Sequence, residues 1–151
     1  MDVTDPANPK YLSHIPGSTA AGEEAGGAQM VRVCSGSMLP NGAKGKWYLL
    51  RAYGNVGPDE AHQVWDVTDP ATPKFIVTIV SGLSNTHKSW WECDTGIAYL
   101  VAGSKADGWH QSGPGQHLKI YDLSDPAKPV YIRDFGLVGQ QPDADVANAN
   151  S

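Results

Sequence analysis

An all-β chain assembled from repeated four-stranded antiparallel units is what this sequence predicts, and three observations carry the prediction. A fourteen-residue phrase recurs in register as DVTDPANPKYLSHI from Asp2, DVTDPATPKFIVTI from Asp66 and DLSDPAKPVYIRDF from Asp122, and self-similarity of this kind marks repeat architectures. Each phrase alternates apolar and polar residues on either side of a Pro-bounded break, the period-2 signature of paired strands. The 17 Gly and 11 Pro among 151 residues fit a turn-rich β chain and disfavour a helical bundle.

The elements follow in order, with strands lettered a to d within a unit. Residues 1–15 supply the end of a c strand and a d strand, joined at Asp5, Pro6 and Pro9, and residues 16–29 are a loop. Residues 30–80 hold a full unit: a over 30–35, b over 46–52, c over 62–67 and d over 74–80, with its corner at Asp69, Pro70 and Pro73. A loop at 81–86 leads to the second full unit, 87–135, with a over 87–93, b over 97–102, c over 117–123 and d over 130–135 about a corner at Asp125, Pro126 and Pro129. Residues 136–151 are small and polar, without strand pattern, and read as a disordered tail or a lead toward a missing unit. Each corner has a mechanism: the Asp side chain accepts from N–H groups ahead of it, the first Pro sets φ near −65°, and the second delays pairing until the next strand. Two carboxylates per corner fall short of the six to eight oxygens a hard cation takes, so the motif reads as structural.

Charge and hydropathy exclude several function classes. A formal net charge of −5 with only 11 Lys plus Arg leaves no basic field for nucleic acid or for an anionic membrane surface. No apolar run approaches the roughly 20 residues of a membrane span, and the opening MDVTDPANPK has neither the basic nor the apolar region of a signal peptide.

The phrases VWDVTDPATPK and IYDLSDPAKPV, each preceded by a strand such as KWYLL or IAYLV, resemble those of the LVIVD-repeat β-propellers of bacteria and archaea, over residues 1–135. The resemblance implies that each unit is a propeller blade with strand a innermost and d outermost, in a periplasmic or secreted protein. It implies no uniform activity. Propellers close with about four to eight blades, so two and a half make an incomplete, open one. Met1 stands in the column of Trp65 and Tyr121, which suggests a start inside a blade. The uncovered blade faces are expected to meet missing blades of the same propeller or to drive self-association.

In that geometry the DP-x-x-P corners share one end and the loops 53–62, 85–88 and 105–117 share the other, at the channel mouth. His87, Lys88, Trp109, His110 and His117 are the expected ligand-binding residues, with the Trp109 indole able to stack on a flat ligand or sugar beside Lys88 or Lys105. His87, His110 and His117, with His62 as a further candidate, could also hold a transition metal, since imidazole is its commonest ligand; no other cofactor is indicated. His14 sits in an outer column, as a surface residue would. Trp90 and Trp91 are both expected to pack between blades. Cys34 and Cys93 fall in matching columns of successive a strands, where the inner strands of different blades stand farther apart than the roughly 4.4–6.8 Å between bridged Cα atoms. Buried free thiols are therefore favoured, with a disulfide as the alternative. No catalytic residue is assigned: there is no nucleophile elbow, and Gly113-Pro114-Gly115 lacks the Lys and helix of a phosphate loop. The expected function is a non-catalytic ligand- or protein-binding scaffold; the alternative is a metal-dependent oxidoreductase or hydrolase with histidine ligands at the channel mouth.

Overall fold

A computed structural model describes residues 1–18, 30–54, 60–84, 86–101, 103–110 and 117–144. Among these residues eight strands form two sheets: β1 (Val31–Ser35), β2 (Trp47–Tyr53), β3 (Glu60–Asp66) and β4 (Lys74–Leu83) in the first, and β5 (Ser89–Trp91), β6 (Ile97–Val101), β7 (Leu118–Asp122) and β8 (Val130–Phe135) in the second. Both are antiparallel meanders in chain order. A single 3-10 turn, Lys105–Asp107, is the one helical element among the described residues, and no helix there is long and apolar enough to cross a membrane.

The strands coincide with the periodic segments, with two differences. β4 continues to Leu83, where it pairs with Glu60 through a series of register shifts along β3. β5 is shorter than residues 87–93 because the Gly96 N–H donates to Glu92 O at 2.8 Å and closes a tight turn. Gly96 has φ +77°, and a Cβ there would lie 2.6 Å from Ser124 Cα, so the turn needs glycine.

The corners show why the phrase holds two aspartates. The first accepts from the amide two residues on: Thr4 N–H to Asp2 Oδ1, Thr68 N–H to Asp66 Oδ1, and Ser124 N–H to Asp122 Oδ1, at 2.7–2.9 Å. The second repeats the device, with the amides of Ala7, Ala71 and Ala127 donating to Asp5, Asp69 and Asp125. Two successive Asx turns bring Asp66 opposite Lys74 and Asp122 opposite Val130. Asp2 and Lys10 pair in the same way, as an isolated bridge. From there residues 11–18 run as a strap along the first sheet. Ser13 Oγ donates to Pro70 O at 2.6 Å, and the buried Arg51 guanidinium donates to the carbonyls of Ile15 and Pro16 at 3.2 and 2.7 Å.

Strand alternation gives each sheet two faces. One face of the first carries Arg32, Leu50, Val64 and Val77 in one row, with Cys34 and Tyr48 in the next; we call this its forward face, and the face of Val31, Val33, Leu49, Arg51 and Trp65 its rear. The corresponding forward row of the second sheet is Trp90, Tyr99, Ile120 and Arg133, and its rear face carries Ser89, Trp91, Ala98 and Leu100. The forward face of the first sheet packs on the rear face of the second, and the buried core, with Cys34, Tyr48, Leu50, Val64, Trp91, Ala98 and Leu100, lies between them.

The cysteines correct the expectation of free thiols. Cys34 and Cys93 form a disulfide with Cα atoms 5.4 Å apart. They are not in matching columns: the residue of the second sheet that corresponds to Cys34 is Glu92, whose amide pairs with Ile97 just as Cys34 sits opposite Tyr48. One residue further on, Cys93 has the parity of Trp91 and points back toward the first sheet, while Cys34 points forward, so the two side chains meet. Trp90 and Trp91 divide by the same alternation. Trp91 is wholly buried, whereas Trp90 is 44% exposed with the Arg32 guanidinium stacked 3.8 Å from its ring centre.

Candidate functional site

At the end of the second sheet away from the corners, four charged or titratable groups converge. His117 and Lys119 are two residues apart on β7 and its approach, so both point to the rear face. Asp134 on β8 is the cross-strand partner of Lys119. Asp107 arrives from the 3-10 turn, which is held by reciprocal bonds: Asp107 N–H donates to Ser104 O, and Ser104 N–H donates to Asp107 Oδ2, at 3.0 and 2.9 Å. The Lys119 ammonium lies 2.8 Å from Asp107 Oδ2 and 3.3 Å from Asp134 Oδ1. His117 Nε2 donates to Asp107 Oδ2 at 3.2 Å and lies 3.7 Å from Asp134 Oδ2.

The electrostatics follow from that arrangement. Burial pushes the Asp107 carboxyl up, but the hydrogen bonds from Lys119 and the Ser104 amide outweigh it and hold the group below its ordinary value. Burial likewise pushes Lys119 down, and the bond to Asp107 with the charge of Asp134 reverses the shift and raises it. Asp107 and Lys119 therefore favour each other's charged forms, with Asp134 and the buried imidazole of His117 beside them.

Trp109 lies over His117, the rings stacked 5.0 Å apart and within 9° of parallel. Gly136 makes that possible, because a Cβ on it would stand 2.5 Å from Trp109 Cζ3. The segment after β8 completes the support: residues 137–140 and 141–144 each close a turn, and the His110 amide donates to Gln140 O at 2.8 Å. The residues expected to be a patternless tail are thus, as far as 144, part of the wall of this site.

No known family model matches the chain, and neither a curated protein nor a solved structure does. The site is therefore argued from its own geometry.

The histidines expected at one mouth are distributed over three environments. His117 is in the cluster. His110 is exposed beside it, and His87 and Lys88 are exposed at the approach to β5. Among the described residues the metal-competent donor set is Asp107, His117 and Asp134, whose ligand atoms lie within 4.8 Å of one another; His87 and His110 are not in it. His62 is sealed between the sheets. Its Nε2–H donates to Val101 O at 3.0 Å, which leaves Nδ1 to accept from Ser89 Oγ at 3.3 Å. Burial pushes its pKa down to about 4, so it is a neutral strut joining β3 to β5 and β6. His14 is exposed. Asn85, residues 55–59 and residues 111–116 of the expected loops lie outside the described residues, as does the Lys105 side chain.

Proposed function

We propose that the chain is a non-catalytic binding scaffold built from two successive β-propeller-type blades of the LVIVD-repeat kind, acting in an extracytoplasmic setting, and that ligands engage it around Trp109, His110 and His117, with His87 and Lys88 alongside. What carries this reading is the division of the sheets into two ends. At one end the corners are closed by their own Asx turns, and the Asn41 amide donates across to Ser124 O. At the other, the cluster of Asp107, His117, Lys119 and Asp134 lies beneath the Trp109 indole, with the exposed imidazole of His110 beside it, polar and aromatic groups converging as a binding site needs. The face-to-face stacking of the two sheets supports the blade reading, while the disulfide draws β1 and the turn after β5 closer than the resemblance implied. A disulfide supports the setting as well, because such bonds persist mainly in oxidising compartments.

A metal-dependent enzyme is the second reading, favoured by the Asp107, His117 and Asp134 donor set. Lys119 opposes it: its ammonium stands where an ion would bind, and a metal would have to displace it from two carboxylates. Metal analysis of protein purified without chelators separates the readings. The scaffold reading expects no stoichiometric transition metal; one equivalent that disappears in both His117→Ala and Asp134→Ala would establish the enzyme's metal site instead.

A further inference from the structure

A second polar pocket lies away from Trp109 and His117, at the edge where β1 meets the turn after β5. It is a cavity of about 330 Å³ lined by Arg32, Met38, Trp90, Glu92, Cys93 and Asp94. Arg32 leaves β1 and is pinned on β5: its guanidinium stacks 3.8 Å from the Trp90 ring centre, and its Nε–H donates to Trp91 O at 3.4 Å. Glu92 and Asp94 are pinned within the turn, where Glu92 Oε2 accepts from the Thr95 hydroxyl and Asp94 Oδ1 from the Thr95 amide, both at 3.1 Å. The Cys34–Cys93 bridge ties the two walls together. Opposite charges therefore line one cavity without meeting. Among the described residues no ion pair joins Arg32 to either carboxylate, and Arg32 Nη1 and Nη2, Glu92 Oε1 and Asp94 Oδ2 make no hydrogen bond.

Charged groups held apart in this way hydrogen-bond water, and a ligand that carries both signs can take the water's place. A guanidinium fork receives a carboxylate through parallel N–H···O bonds, and the free carboxylate oxygens accept from an ammonium. Trp90, 44% exposed, and Met38, 56% exposed, supply an apolar wall beside both. The volume stands at the small end of the range for ligand pockets, about 300–1,000 Å³, which suits a single amino acid rather than an oligomeric ligand. We propose that this cavity binds a free α-amino acid with an apolar side chain, its carboxylate on Arg32, its ammonium on Glu92 and Asp94, and its side chain against Trp90 and Met38. A simple anion would meet two carboxylates and a simple cation would meet Arg32, so only a molecule with both charges gains on each side. The inference goes beyond the scaffold reading, because it assigns a second site and a ligand class at the end of the sheets that holds the corners.

Isothermal titration calorimetry of the full, unreduced chain with L-phenylalanine tests it. The expected result is one site per chain, with 3-phenylpropanoate, which lacks the ammonium, and 2-phenylethylamine, which lacks the carboxylate, each binding at least about tenfold more weakly. Arg32→Gln and Glu92→Gln should each weaken the amino acid by a similar factor, and Asp94→Asn, at an exposed position, by less, with circular dichroism as the check that each variant folds. The ligand series uses the unaltered protein, so it decides even if a variant fails to fold. No heat of binding at millimolar L-phenylalanine, equal affinity for the singly charged analogues, or binding that survives both Arg32→Gln and Glu92→Gln would each overturn the proposal. None of these results would count against the site around Trp109 and His117.

Discussion

The two sheets are built from the same phrase and meet different surroundings. Trp65 and Phe75 cross edge to face at 5.5 Å in the first, and Tyr121 and Tyr131 do the same at 5.4 Å in the corresponding places of the second. Corners, registers and aromatic pairs repeat. Burial does not: Val64 is fully covered, and its counterpart Ile120 is not. Repetition in sequence therefore specifies strands and corners locally, while the neighbour on each face decides what an apolar column contributes to stability.

The sharpest way to break that comparison is to charge the two columns. Val64→Asp leaves a carboxylate between the sheets with no partner, and is expected to cost about 3–5 kcal/mol or to abolish folding. Ile120→Asp, at the open face, should change the unfolding free energy of the monomer by less than about 1 kcal/mol. Equal losses in denaturant titrations of the two variants would show that the second forward face is as closed as the first.

Acid should act through the same interface. Unfolded chains take up a proton on His62 near its ordinary value of 6.5, while the folded protein resists until about 4. Between those values the unfolded state binds more protons, so stability falls as the pH drops, by roughly 3 kcal/mol across the window. Asp66 adds nothing there: burial raises its pKa, but the bonds from Thr68 and Lys46 prevail and hold it at about 2, so its contribution is lost only at lower pH. His62→Leu is expected to be less stable at pH 7, with Val101 O and Ser89 unpartnered, yet to show a flatter fall toward pH 4. An unchanged slope would exclude His62 as the acid-sensitive strut.

A smaller effect is expected at the loop end. Gly136→Ala forces the Trp109 ring off His117 and should cost about 1–2 kcal/mol by overpacking. The change in tryptophan emission it causes should vanish when Trp109 is already Phe.

Much of this fold was legible because each strand repeats its phrase and alternates cleanly, and the corners carry their own turn chemistry. Partial legibility at the site has a physical reason too. His117 and Trp109 stand out as residue types, but Asp107, Lys119 and Asp134 look like ordinary surface charges until strands pair. Lys119 and Asp134 could have been found by folding the hairpin about SDPAKP, which sets them opposite each other; Asp107 reaches them through a 3-10 turn that no periodicity announces. Arg51 left a clearer signal, a lone cation inside the apolar run WYLLRAY. The disulfide stands only as the alternative in the sequence because the inner strands of different blades are expected too far apart to bridge and the two cysteines read as matching columns. Matching on the pairing of Glu92 with Ile97 shows that Cys34 and Cys93 face opposite ways, one toward the other.

That opposition is the most direct handle on how the sheets meet. Peptide mapping of the unreduced protein, expressed in an oxidising compartment and alkylated while folded, should recover the Cys34 peptide linked to the Cys93 peptide, with both thiols modified only after reduction. Two freely alkylated cysteines in folded protein would contradict it, and would mean that the forward face of the first sheet does not lie against the rear face of the second.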